Sequence, residues 1–174
     1  MRRGERGFTI VELAMMIAVV TIVTGAASMG IFQVVEVTKH SSDQMTAMRQ
    51  VQNAGYWISH DTQMAQIITV GDDPGTPGQE EFLTLSWTNW ESGEVHKIIY
   101  ILEDMADELS RFKRQHLTYD AEGVETGNEM TLVAENIDSA SFSDQGSTWK
   151  LTIQTRSGDE IETREYTIIN RASM

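Results

Sequence analysis

The chain has 174 residues, with 13 Lys+Arg against 26 Asp+Glu and a formal net charge of -13. That balance excludes the positive footprint that non-specific nucleic-acid binding needs, and the absence of cysteine excludes a disulfide framework, a thiolate zinc site and a cysteine nucleophile. A hydrophobic fraction of 40% with only two prolines suits one ordinary domain plus an extra element rather than a disordered chain.

Polarity is unevenly distributed, and the first segment carries most of the asymmetry. Residues 1–7 read MRRGERG, and from Leu13 to Val35 there are 23 residues without a charge. As a helix that run spans ~34 Å, enough for a bilayer core of about 30 Å. Arg2, Arg3 and Arg6 immediately precede the apolar stretch, which predicts an N-terminus retained in the cytoplasm and a remainder that crosses. Three readings fit such a segment. A secretory signal peptide normally has an apolar stretch of only ~7–15 residues, although Ala26-Ala27-Ser28 imitates a small-residue cleavage site. A plain single-pass anchor fits the length. Both leave Glu12 to be explained as a carboxylate that snorkels to the interface and favours a helix N-terminus, because a charge at the centre of a bilayer costs about 2.5–3.5 kcal/mol on insertion scales.

The third reading rests on the string Gly7-Phe8-Thr9-Ile10-Val11-Glu12-Leu13. With the short basic leader before it and the spanning-length helix after it, this string resembles the class III signal of the type IV pilin superfamily. The resemblance implies that residues 1–7 are a leader peptide and that a membrane prepilin peptidase cuts between Gly7 and Phe8. It further implies that Phe8 becomes an N-methylated mature N-terminus. Glu12 then corresponds to the assembly carboxylate that meets the N-terminal amine of a neighbouring subunit. Pairing a cation with an anion in lipid offsets two desolvation penalties at once. Residues 8–37 would be the transmembrane and filament-core helix, and residues 38–174 a soluble headpiece outside the cytoplasm. The apolar stretch has Gly25 and Gly30 where major pilins often have a proline, and the chain has no cysteine. The missing cysteines lean towards a minor pilin or pseudopilin.

The helical pattern continues past the apolar stretch. Ala47, Val51, Ala54, Ile58, Ala65 and Ile68 recur at helical steps, with Asp43, Gln44, Arg49, Gln50 and Asn53 on the other face. One long helix is therefore expected, apolar all round and then amphipathic, ended by the breaker cluster Gly71–Gly78. Beyond residue 80 the period becomes two. Leu83, Leu85 and Trp87 alternate with polar residues, Val95–Leu102 reads as a central strand, and Glu103–Asp107 as a turn. Leu109–Arg114 reads as a polar strand and 118–129 as an acidic loop. Residues 130–142 suggest a strand followed by a short helical turn. Trp149, Leu151 and Ile153 alternate cleanly, and Ser157-Gly158-Asp159 turns the chain into a last strand, Glu160–Asn170. In that strand Ile161 is out of parity with Tyr166 and Ile168, which predicts a bulge or a late strand start. The expected fold class is α+β, a long N-terminal helix packed on an antiparallel sheet. That is also the pilin architecture. Leu109–Arg111, Leu132–Ile137 and Trp149–Arg171 loosely resemble the patterns of J-type minor pseudopilins.

No residue set stands out as catalytic. His40, His60, His96 and His116 have no helical ligand spacing, and no HExxH, GxSxG, P-loop or dinucleotide fingerprint is present. The acidic stretch Asp120–Glu125 carries oxygen ligands of the kind calcium takes, but it lacks an EF-hand order and reads first as a solvated loop. No cofactor is expected, and the chain is read as a non-enzyme that is itself an enzyme's substrate. The expected partners are a prepilin peptidase, other pilin or pseudopilin subunits and, before assembly, inner-membrane lipid. The competing function is a membrane-tethered extracytoplasmic binding domain that never polymerises.

Overall fold

The computed structural model describes residues 9–71, 81–105 and 108–169. One helix, α1 (Ile10–Met64), is followed by seven strands: β1 (Ile67–Val70), β2 (Glu81–Thr88), β3 (Val95–Asp104), β4 (Ser110–Tyr119), β5 (Glu125–Asp144), β6 (Trp149–Ser157) and β7 (Glu160–Ile168). The fold class is α+β. By contacts the chain divides into two units, Met1–Ser42 and Asp43–Met174.

Within the first unit, α1 exposes every side chain from Ile10 to Ser42. The hydroxyls of Thr21, Ser28 and Thr38 donate back to the carbonyls of Ile17, Thr24 and Val34 at 2.7, 2.9 and 2.7 Å, so these polar side chains are satisfied inside the helix itself.

In the second unit the strands form one antiparallel meander in the order β1-β2-β3-β4-β5-β6-β7. The stripe Ala47, Val51, Ala54 and Ile58 is fully buried, and its last three members share one core with Leu83, Leu85, Ile98, Tyr100, Phe112, Ile137, Leu151, Ile153 and Ile168. Leu83 and Leu85 alternate with polar neighbours because only one face of β2 meets the helix. β3 is paired on both sides, as its apolar run predicts. Gly55 is the point of closest approach: a Cβ there would lie 2.1 Å from the ring of Tyr166 on β7, whose hydroxyl donates to the Val51 carbonyl at 3.2 Å.

β5 is long because it serves two neighbours in succession. Glu125–Ile137 pairs with β4, and Ile137–Asp144 pairs with β6. Asn136 takes a left-handed φ of 59° where the strand changes partner. Beside this change the helix supplies what a neighbouring strand would. Asn53 Nδ2 donates to the Val133 carbonyl at 3.1 Å, and the Glu135 N–H donates to Gln50 Oε1 at 3.0 Å.

Four local expectations need correction. The helix stops at Met64 rather than running to residue 68. Gln66 instead grips β2 through its N–H to the Ser86 carbonyl (2.8 Å) and its side chain to the backbone of Thr88. The β-branched run Ile67-Ile68-Thr69-Val70 then pairs as a strand, which suits its propensity. The acidic loop shrinks to residues 120–124, since 118–119 end β4 and 125–129 begin β5. Residues 130–142 contain no helical turn. The β6–β7 register runs unbroken from Trp149↔Ile168 to Ser157↔Glu160, so Ile161 makes no bulge and simply faces solvent. Most of the breaker cluster, residues 72–78, lies outside the described residues.

Candidate functional site

Gly7 and Phe8 lie outside the described residues. Glu12 occupies the first turn of α1, exposed, and its backbone N–H donates to Thr9 Oγ1 at 3.3 Å while the Leu13 N–H donates to the Thr9 carbonyl at 3.1 Å. Thr9 therefore caps the helix, and Thr9-Ile10-Val11-Glu12 has the spacing of a capping box. Following Glu12, α1 presents Leu13, Ile17, Val20, Val23, Phe32 and Val35, each more than half exposed. This helix is long and apolar enough to cross a membrane, and its most apolar window buries nothing within the chain. An apolar surface of that extent requires lipid or other protein around it.

The second unit holds two polar constellations that spacing along the chain conceals. In the first, Asp61 is 1% exposed. It accepts from Tyr100 Oη at 2.5 Å and from Arg114 Nε at 2.7 Å. Burial, then the adjacent Asp61 charge, pushes the Tyr100 phenol far above its usual pKa, so it remains a donor. Burial works against the Arg114 charge, but the hydrogen bond and charge of Asp61 more than offset it and raise its pKa. The guanidinium also lies over the Trp57 ring, 5.1 Å from its centroid. Tyr100 and Arg114 both turn onto the Asp61 carboxylate, so this network locks α1 to β3 and β4 rather than presenting a reactive group.

In the second constellation, Trp87, His96 and His116 stack across β2, β3 and β4. Trp87 pairs directly with His96, and their ring centroids are 5.1 Å apart at 16°. His96 Nδ1 lies 3.2 Å from His116 Nε2. Glu94 Oε2 stands 3.8 Å from the other His96 nitrogen, Nε2. Burial, then the charges of Arg114 and His96, lowers the His116 pKa, which keeps that ring neutral at neutral pH. Two of the four histidines, which lack helical spacing along the chain, thus meet across neighbouring strands. Among the described residues no group of three or more His, Asp or Glu side chains is placed to hold a metal ion, the acidic stretch at 120–125 included.

No family model, no curated protein and no solved structure matches the chain.

Proposed function

We propose that this chain is a minor pilin or pseudopilin subunit, inserted in the cytoplasmic membrane with its N-terminus inside and its headpiece outside. A prepilin peptidase processes it between Gly7 and Phe8, Phe8 is methylated, and the mature chain joins a type IV pilus or type II secretion-like filament. The observation that carries the reading is the bare apolar surface of α1 from Ile10 to Val35 with one carboxylate, Glu12, at its head. A helix that only anchored a domain would gain from an aliphatic residue at that position. A helix that stacks on copies of itself gains from an anion that meets the amine created by cleavage. The mature chain of 167 residues would carry a net charge of -15, nearly all of it outside the apolar helix.

The capping geometry supports a second reading. Thr9 and Glu12 together form a helix start, and a single-pass anchor for a binding domain that does not polymerise would use them for that alone. Intact mass and N-terminal sequencing of protein isolated from membranes separate the two. A chain beginning at Phe8, with or without one added methyl, supports the filament subunit. A chain beginning at Met1 or after Ser28 overturns it.

A further inference from the structure

We propose that the open edge of β5 from Gly127 to Leu132 is a docking site for an extended segment of another protein in which apolar and basic residues alternate. The edge exists because β5 changes neighbours. Its first part pairs with β4 alone, and β6 joins only from Ile137 onward. α1 fills the gap between, where Asn53 and Gln50 bind the Val133 carbonyl and the Glu135 N–H. Before Val133, no strand among the described residues lies on the side of β5 away from β4. The register with β4 is regular from Lys113↔Leu132 to Thr118↔Gly127, a run of ~20 Å. In an antiparallel ladder every second residue turns both its N–H and its C=O to the outer side. This run therefore offers backbone donors and acceptors to a further strand.

The side chains set the chemistry of that further strand. Asn128, Met130 and Leu132 belong to one face of β5, and Gly127, Glu129 and Thr131 to the other. Met130 and Leu132 are each 50% exposed. A guest strand gains by setting apolar residues beside Met130 and Leu132 and basic ones beside Glu129, and strand alternation delivers both at once. Residues 119–132 hold Asp120, Glu122, Glu125 and Glu129 and neither Lys nor Arg, so nothing in the run repels a cation. The basic residues across on β4 are already engaged, Lys113 by Glu103 and Arg114 by Asp61. Natural sheet edges are commonly guarded by lysine, proline or a bulge. Here the register shifts fall at the two ends of the run and not within it, and it contains neither residue. The two outer edges of the sheet suit such a guest less well. β1 has only four residues, and β7 sets Arg164 among its carboxylates. A second copy of this chain is a poor guest, because it brings the same carboxylates and a net charge of -13 to the same edge.

The test uses the full chain in dodecyl maltoside micelles and a fluorescein-labelled synthetic peptide of about eight residues that alternates valine and lysine. Fluorescence anisotropy should show saturable binding, and hydrogen exchange read by mass spectrometry should slow at residues 125–132 when the peptide is present. The same peptide carrying N-methyl groups on alternate backbone nitrogens keeps its charge but loses the donors that strand pairing needs. It should bind about 10-fold more weakly. The double variant Met130→Ser with Leu132→Ser alters two exposed side chains and should weaken binding by ~10-fold with circular dichroism unchanged. Glu129→Gln should also weaken binding and flatten its salt dependence. The wild-type protein alone can overturn the proposal: no binding, equal binding of the N-methylated peptide, or slowed exchange confined to β1 or β7 would each do so. So would slowing at residues 125–132 that appears without peptide and grows with protein concentration, since the occupant is then a second copy of the chain.

Discussion

Two glycines in the same helix test opposite things. Gly25 has open space where a Cβ would be, whereas Gly55 has the Tyr166 ring there. Gly25→Ala should therefore preserve or strengthen the helix, by up to about 1 kcal/mol of propensity. Gly55→Ala gains the same propensity but forces Tyr166 away from the Val51 carbonyl, and overpacking of this kind costs about 1–3 kcal/mol. Urea unfolding should show a net loss of ~1–2 kcal/mol for Gly55→Ala and none for Gly25→Ala. Glu12 is the other residue on which much turns. Glu12→Ala removes the one charge between Phe8 and Val35, so insertion and processing after Gly7 should persist. The amine at Phe8 would then have no anion to meet when subunits stack. Immunoblots should find a mature-length chain in the membrane fraction and little of it in sheared filaments, with Glu12→Asp intermediate. Incorporation of Glu12→Ala at the wild-type level would reduce Glu12 to a capping residue.

At the scale of elements, the β3–β4 pair ends in a small charge network with a defined pH window. Glu103 accepts from Arg111 and from Lys113, the latter at 2.8 Å. Those hydrogen bonds lower its pKa from 4.5 to about 2. A carboxylate with a depressed folded-state pKa stabilises fully above its unfolded value, and the contribution fades as pH falls from about 4.5 towards 2. The site is solvent-screened, so the effect is small. The melting temperature of Glu103→Gln should lie slightly below that of the wild type at pH 6, and the difference should vanish near pH 2. A difference that instead grows with acidity would mean the network does not hold in solution. The same strand pair shows what sequence patterning reveals and where it stops. The stripe from Ala47 to Ile58 and the alternation of Leu83, Leu85 and Trp87 were legible because each repeats at the period of its element. The meeting of His96 and His116 was not. Their proximity depends on register, and the β3–β4 register is symmetric about residue 107, from Val95↔Tyr119 to Asp104↔Ser110. The turn expected at Glu103–Asp107 is centred on residue 105, two residues short of that centre, so the patterning left open which β3 and β4 side chains face each other. β1 was missed for another reason: Ile68 satisfies the helical stripe and a strand alike, and Gln66's grip on β2 decides between them. Glu12 stands out in its local string alone, whereas the capping of its N–H by Thr9 needed the geometry.

For the molecule as a whole, the second unit contains the amphipathic part of α1 and all seven strands. A fragment beginning at Lys39 keeps every contact from Asp43 onward, including the approach of the Ser157 hydroxyl to Asp43 at 3.4 Å. It should be monomeric and should unfold cooperatively, as one core of this size allows. Aggregation at micromolar concentration in size-exclusion chromatography, or unfolding in two steps, would show that residues before 39 belong to the fold.

The partners of α1 in that core arrive late. Its Ala47 carbonyl accepts from Thr155 on β6, its Val51 carbonyl from Tyr166 on β7, and Gly55 is shaped for the same tyrosine. A ribosome makes the helix first and these partners last, more than 100 residues later. Each hairpin of the meander can close as it emerges, because its strands are neighbours in the chain, and β2 to β4 can cover part of the stripe, but the turns of the helix at Ala47, Val51 and Gly55 lack their partners until β6 and β7 are made. The nascent chain must therefore carry that part of the stripe uncovered until late in synthesis. A product that stops short of β7 declares itself by the surface it cannot cover.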